Sequence, residues 1–210
     1  MAATFTVYGN FLSGPTYRVV LMLTLCGERF DYRHVDLAKG AHKAPEYLAI
    51  NHFGQVPALL HGEAKVVQSH VILQHLAATL GKFGGRTEAE QRQAREWHAW
   101  DADRLAPGLF RSRFFARFMK PDPAVAEHYR KAGEGGLTAM DEWLASRPFL
   151  VGDQPTIADI AVVAPVAMSQ EANFDLATWP NVKAWFGRMQ ALPGFKLPYD
   201  LVPKADAPAA

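Results

Sequence analysis

The glycine-rich break Gly81-Lys82-Phe83-Gly84-Gly85-Arg86 constrains this chain most, because the apolar periodicity differs on its two sides. Before it, strand-like and helix-like patterns alternate; after it, no strand pattern returns. Phe5 and Val7 alternate with Thr4, Thr6 and Tyr8, as in a half-buried strand. Val19 to Leu25 is apolar almost all round and predicts a helix buried between layers, with Gly27 placed as its C-cap. Phe30 to Leu37 predicts a second strand. Val56–Leu60 and Lys65–Gln68 flank a turn at His61-Gly62-Glu63-Ala64, and Ile72, Leu76 and Leu80 mark one face of a helix starting near Ser69. Beyond the break, helices are expected to about Phe118, from Pro123 to Ser146, from Thr156, and around Val182 to Leu192. Thr87-Glu88-Ala89-Glu90 and Thr156-Ile157-Ala158-Asp159 carry capping signatures at two of these starts. The expected division is an α/β domain over 1–80, a linker over 81–86 and an all-α domain over 87–210, with Pro203 onward a loose tail for want of anything to bury.

Composition narrows the function classes. A chain of 210 residues buries roughly 70% of its unfolded surface and needs no disulfide or metal staple. Its 22 Lys+Arg against 21 Asp+Glu, a net charge of +1 without a basic block, leave no electrostatic footprint for nucleic acid or anionic lipid. The start Met1-Ala2-Ala3-Thr4-Phe5-Thr6 shows no signal-peptide pattern, and the run from Ile160 to Met168 falls well short of the ~20 residues that cross a bilayer. The default expectation is a soluble cytoplasmic protein. One cysteine, Cys26, argues against a disulfide framework or a multi-Cys zinc site. Eight histidines give no metal pattern: His70 and His75 are off a common helical face, and HExxH does not occur.

Three junctions could carry chemistry. Ser13-Gly14-Pro15 lies at a helix start, where exposed N–H groups favour an anion; Ser13 is either a plain cap or a hydroxyl donor to a bound thiolate or oxyanion. Tyr8, at the end of the preceding strand, is the rival donor, or simply an aromatic strand residue with a wet tip. In Gln55-Val56-Pro57, a cis bond at Pro57 would turn the Val56 backbone N–H and C=O toward an extended peptide-like ligand. Gln68-Ser69 opens the next helix, with Ser69 expected as its cap and the N–H groups behind it able to hold a carboxylate. Ligands of α/β units gather at such strand ends, so the three together suit a small peptide-like molecule bearing a carboxylate. In the helical half, Trp97, Asp101 and Leu105 follow at four-residue spacing; Asp101 either faces a ligand cleft or pairs with Arg104. Trp97, Trp100, Phe110, Phe114, Phe115 and Phe118 either line an apolar pocket or, for most of them, pack a helical core.

Five stretches then resemble the cytosolic glutathione transferases, in order and across nearly the whole chain. They are Val7-Tyr8-Gly9-Asn10-Phe11-Leu12-Ser13-Gly14-Pro15, the run Lys39 to Leu48, Asn51-His52-Phe53-Gly54-Gln55-Val56-Pro57-Ala58-Leu59, the run Gln68 to Leu76, and Leu150-Val151-Gly152-Asp153-Gln154-Pro155-Thr156-Ile157-Ala158-Asp159-Ile160. The resemblance implies an α/β thioredoxin-like N-terminal domain binding glutathione, an all-α C-terminal domain supplying the cosubstrate pocket, and a homodimer. It implies that Val56 before a cis Pro57 pairs with the cysteinyl part of glutathione, and that Gln68 and Ser69 hold the γ-glutamyl carboxylate. His42, with Lys43, and Gln55 would face the glycyl carboxylate, and Asp101 stands as a further binding candidate. Ser13 falls where serine-type members keep the thiolate-stabilising hydroxyl and Tyr8 where tyrosine-type members keep theirs; Ser13 is favoured because Gly14-Pro15 sets it at a helix start. Gln68-Ser69 is the pairing of the tyrosine type. Thr156 and Asp159 match a folding motif of the family. The implied activity is transfer of glutathione, as thiolate, to small apolar electrophiles, with no metal. The alternatives are a non-catalytic module of the same fold and a glutathione-dependent isomerase, whose usual Ser-Ser-Cys start is absent although Ser13 and Arg18 resemble that branch. Disulfide exchange would need a cysteine at the helix start, and Cys26 sits late in that helix, where a buried, inert thiol is expected.

Overall fold

A computed structural model describes residues 4–209. The chain forms two compact units, Met1–Lys82 together with Pro193–Ala210, and Phe83–Leu192.

In the first unit four strands form one sheet in the order β2-β1-β3-β4: β1 (Phe5–Gly9), β2 (Phe30–His34), β3 (Ala58–His61) and β4 (Ala64–Val67). β1 runs parallel to β2, and β1–β3 and β3–β4 are antiparallel. The parallel pair is joined by α1 (Gly14–Cys26), whose residues from Thr16 to Leu23 are all buried, as an all-round apolar helix requires. Gly27 closes it in the left-handed conformation (φ 72°), returning its N–H to the last turn. A 3-10 turn (Ala41–Lys43) and α2 (Pro45–Leu48) lead to the β3–β4 hairpin, and α3 (Ser69–Leu80) follows β4.

The loose tail is not observed. Pro193–Ala210 belongs to the first unit, and α9 (Pro198–Leu201) is followed by a segment that pairs with the outer edge of β2. Tyr32 and Ala207 exchange backbone hydrogen bonds of 2.7 and 3.0 Å, and Tyr17 Oη donates to the Lys196 carbonyl. The tail has few apolar side chains, but the edge of β2 carried backbone groups that it satisfies.

The second unit is helical: α4 (Glu88–Trp100), a π-helical turn (Asp101–Leu105), α5 (Ala106–Phe118), α6 (Pro123–Leu144), α7 (Ile157–Ala167) and α8 (Pro180–Gln190), with 3-10 turns at Ser169–Ala172 and Leu176–Thr178. The π turn precedes Pro107, which has no N–H to continue the α ladder, so the single helix expected to Phe118 is interrupted. α7 is buried from Ile157 to Val166 and forms the centre of the unit. Asp159, fully buried, accepts from Leu150 N (3.0 Å), Trp185 Nε1 (2.9 Å), Thr156 N (2.8 Å) and Thr156 Oγ1 (3.3 Å), completing the Thr156 capping box. At the other expected box Thr87 caps Glu90 N, but the Glu90 carboxylate accepts from Arg86 N instead of reaching back to Thr87. Phe114 and Phe118 are exposed rather than core, while Trp97 packs edge-on against Trp100 and Trp143.

Candidate functional site

Strand register gathers the three junctions at one end of the sheet. Tyr8 on β1 stands opposite Ala58 on β3, and Ala58 stands opposite Val67 on β4. The loop that follows Tyr8 and Gly9, the Val56-Pro57 step before Ala58, and Gln68-Ser69 after Val67 therefore all leave the sheet at that end. The Val56–Pro57 peptide is cis.

Ser13 is the N-cap of α1, with extended backbone and its Oγ accepting from Thr16 N at 3.2 Å. Its hydroxyl proton stays available for donation, since a serine oxygen accepts and donates at once. No acidic side chain occupies the first turn of α1, so the positive helix end is not neutralised from within. Tyr8 is half-buried, its ring 6.2 Å from that of Tyr47.

Asn10, which sequence reasoning missed, holds the Ser13 loop. Its buried side chain accepts from Leu12 N (3.0 Å) and donates to the Val35 carbonyl (3.0 Å), while its own carbonyl accepts from Ser13 N (3.0 Å). Asn51 repeats the device: its Oδ1 accepts from Phe53 N (3.1 Å) and its Nδ2 donates to the Gln55 carbonyl (2.6 Å), which Tyr47 Oη also meets at 2.6 Å. Asparagine accepting from the N–H two residues on is a turn signal visible in sequence; the Tyr47 contact is not.

The second anion-binding candidate differs from expectation by one residue. Gln68, not Ser69, holds the N-cap position of α3, at φ 69°, a conformation that non-glycine residues rarely take. Gln68 Nε2 donates to Gln55 Oε1 at 3.1 Å, joining two of the expected binding residues. Ser69 is the buried first residue of the helix, and its Oγ accepts from Arg18 Nη1 at 3.3 Å. Arg18 lies buried on α1, also 3.2 Å from His70 Nε2, so a guanidinium stands behind a helix start that has no acidic residue in its first turn. His42 and Lys43 lie in the 3-10 turn, and Lys43 Nζ donates to the Phe53 carbonyl at 3.5 Å. Gly54, at φ 57°, lets these parts approach: a Cβ there would stand 2.9 Å from both the His42 carbonyl and Lys43 Nζ.

Asp101 is not among the residues that the sheet brings together. It lies in the second unit, fully buried on the π turn, and Arg104 pairs with Asp103 at 2.8 Å rather than with Asp101. The Cys26 thiol is buried, and burial raises its pKa, which disfavours the thiolate. Among the described residues no group of three or more His, Cys, Asp or Glu side chains could hold a metal ion, and no helix is long and apolar enough to cross a membrane.

A thioredoxin-like sheet with this strand end, followed in sequence by an all-helical unit, is the architecture of the two-domain glutathione transferases. Residues 3–78 match the family model of the glutathione S-transferase N-terminal domain and residues 110–193 that of the C-terminal domain. The chain is 32% identical over 206 residues to a maleylacetoacetate isomerase of Rhizobium meliloti, covering 93% of this chain and 96% of the relative. It is 28% identical to glutathione S-transferase 3 of Zea mays, covering 99% of each. A glutathione S-transferase structure from Pseudomonas fluorescens superposes with a TM-score of 0.86 at 29% identity, over 96% of this chain and 99% of that one. The chain belongs to the glutathione S-transferase superfamily.

Proposed function

We propose that the first unit binds glutathione at this end of its sheet and that the protein directs the bound thiolate at a small apolar electrophile, by addition or displacement. The observation that carries the reading is the register that aligns Tyr8, Ala58 and Val67, because it gathers three complementary groups. These are a hydroxyl at an uncompensated helix start, a backbone pair beside a cis proline, and a second helix start backed by Arg18. Gln68 and Ser69 would hold the γ-glutamyl carboxylate, Val56 the cysteinyl backbone, and Gln55, His42 and Lys43 the glycyl end.

A free thiol of pKa ~8.5 is only a few per cent ionised at neutral pH. Lowering it by about two units takes roughly 2.7 kcal/mol of preferential anion stabilisation. One charge-assisted hydrogen bond contributes ~1.5–3 kcal/mol and a helix start ~0.3–1 kcal/mol, so Ser13 on α1 is sufficient in magnitude. Tyr8 is the competing donor. No protein cysteine takes part, in keeping with the raised pKa of buried Cys26. A cytoplasmic homodimer is part of the same reading.

The maleylacetoacetate isomerase relative and the buried Arg18 favour a second reading, reversible thiolate addition to a conjugated double bond that returns the glutathione unconsumed. The missing Ser-Ser-Cys start ranks it below transfer. Titrating the ultraviolet thiolate band of the glutathione complex against pH tests the proposal. Ser13→Ala is expected to raise the bound thiol's pKa by about one to two units, the size of one lost hydrogen bond, and Tyr8→Phe to leave it in place; the reverse pattern refutes Ser13 as donor. Glutathione consumption over an electrophile panel separates transfer from isomerisation, and binding without either would leave a non-catalytic module.

A further inference from the structure

The segment that follows α9 reaches the loop bearing Ser13 by two routes. It is tied to β2 along its length: Asp206 Oδ1 accepts from His34 N at 2.7 Å, Tyr32 and Ala207 exchange two hydrogen bonds, and Ala209 N donates to Asp31 Oδ1 at 2.9 Å. Arg33 adds an ion pair to Asp206 at 3.7 Å. The residue after β2 then grips the loop with both of its backbone groups, Val35 N donating to the Gly9 carbonyl at 2.7 Å and the Val35 carbonyl accepting from Asn10 Nδ2 at 3.0 Å. The second route is direct. Phe11, two residues before Ser13, stacks on His34 with ring centroids 6.2 Å apart, and Lys204 Nζ lies 5.9 Å from the Phe11 ring centroid.

We propose that Lys204–Ala209 is a positioning element for Ser13: docked on β2, it fixes His34, Val35 and Phe11, and through Asn10 and Phe11 it sets where the Ser13 hydroxyl points. Lys204 and Asp206 are its positioning residues, acting through Phe11 and His34. The inference rests on the glutathione reading above. Mere coverage of a strand edge would stabilise the first unit without any effect on the thiol, and the experiment is built on that difference.

The full-length protein is compared with Lys204→Ala, Lys204→Arg, Asp206→Ala and Asp206→Asn, reading the pKa of the bound glutathione thiol, kcat against KM for glutathione, and amide hydrogen exchange at Leu12 and Ser13. Lys204→Ala should lower kcat at neutral pH by about two- to five-fold, the strength of an exposed cation–aromatic contact, with a matching rise in thiol pKa and an unchanged KM for glutathione, and Lys204→Arg should restore both. Asp206→Ala loses the His34 hydrogen bond as well as the Arg33 pair and should show the larger effect, with faster exchange at Leu12 and Ser13. Asp206→Asn keeps an acceptor for His34 N and should stay near the wild type. Lowered stability of Asp206→Ala with unaltered thiol pKa, kcat and exchange at Leu12 and Ser13 overturns the proposal and reduces the segment to an edge cover. A wild-type complex without a thiolate band refutes the glutathione reading itself and the inference with it, whatever the variants do.

Discussion

Asp159 offers the sharpest test of how the second unit is held. The carboxylate is fully buried and receives four hydrogen bonds, from Leu150 N, Thr156 N, Thr156 Oγ1 and Trp185 Nε1. Burial raises its pKa, and the four donated bonds oppose that rise. Asp159→Ala would strip the acceptors and leave three N–H donors buried without them. Hydrogen bonds to a charged group contribute ~1.5–3 kcal/mol each and a buried donor left unsatisfied costs ~1–3 kcal/mol, but the terms are not additive, so about 5 kcal/mol is expected for the three orphaned N–H groups. Asp159→Asn keeps the volume and one oxygen, which can still serve two donors, but sets an amide N–H₂ against the other pair; about 3 kcal/mol is expected for those two bonds. Urea unfolding followed by tryptophan fluorescence, with Trp185 itself in the network, reads the difference. Since two units need not unfold together, exchange at the Leu150 amide supplies a local check. If Asp159→Asn lies within about 1 kcal/mol of the wild type, the size of one neutral hydrogen bond, the carboxylate is not acting as a charged four-way acceptor and the reasoning fails.

Two helical glycines should respond oppositely to alanine. A Cβ on Gly108 would stand 2.3 Å from Gly133 N across the α5–α6 contact, backbone that cannot swing aside, so Gly108→Ala should lower the thermal midpoint by a destabilisation of roughly 1–3 kcal/mol. A methyl group added at Gly135 would meet nothing within 4 Å, and Gly135→Ala should raise the midpoint by up to ~1 kcal/mol of helix propensity. In the first unit His61 Nδ1 and His75 Nε2 stand 2.9 Å apart, and burial first, then the neighbouring His61, lowers the His75 pKa. The unfolded chain therefore takes up the proton more readily, so the contribution of His75 is complete above the ordinary imidazole pKa of ~6.5 and is lost as pH falls through the lower folded value. Urea midpoints at successive pH values should fall on acidification, and His75→Gln should flatten that fall; an unchanged slope rules the pair out as its source.

What was legible in the sequence was local. Ser13-Gly14-Pro15, Gly27 and the turn at Gly62 each impose a backbone conformation with their own atoms, and the structure has a helix start, a helix end and a hairpin there. The exchange of Gln68 for Ser69 at the N-cap was not legible, because a glutamine at φ 69° is held there by its surroundings rather than by preference. The contact of Arg18 with Ser69 was not legible either, because the two lie 51 residues apart. Glu90 had two N–H groups within reach, Arg86 and Thr87, and spacing does not choose between them. The docking of the segment after α9 on β2 leaves no trace in apolar periodicity, which carries no information about backbone groups seeking partners on a strand edge.

The return of Pro193–Ala210 to the first unit makes that unit discontinuous in sequence, with all of Phe83–Leu192 intervening between its two parts. Translation proceeds in one direction, so every residue of the helical unit is added to the chain before the segment that covers β2. Until then the outer side of β2 carries an open Tyr32 backbone, the kind of edge that recruits other chains. The α/β unit therefore brackets the helical unit in synthesis, and between residue 82 and residue 207 its β2 edge has yet to meet the strand that covers it.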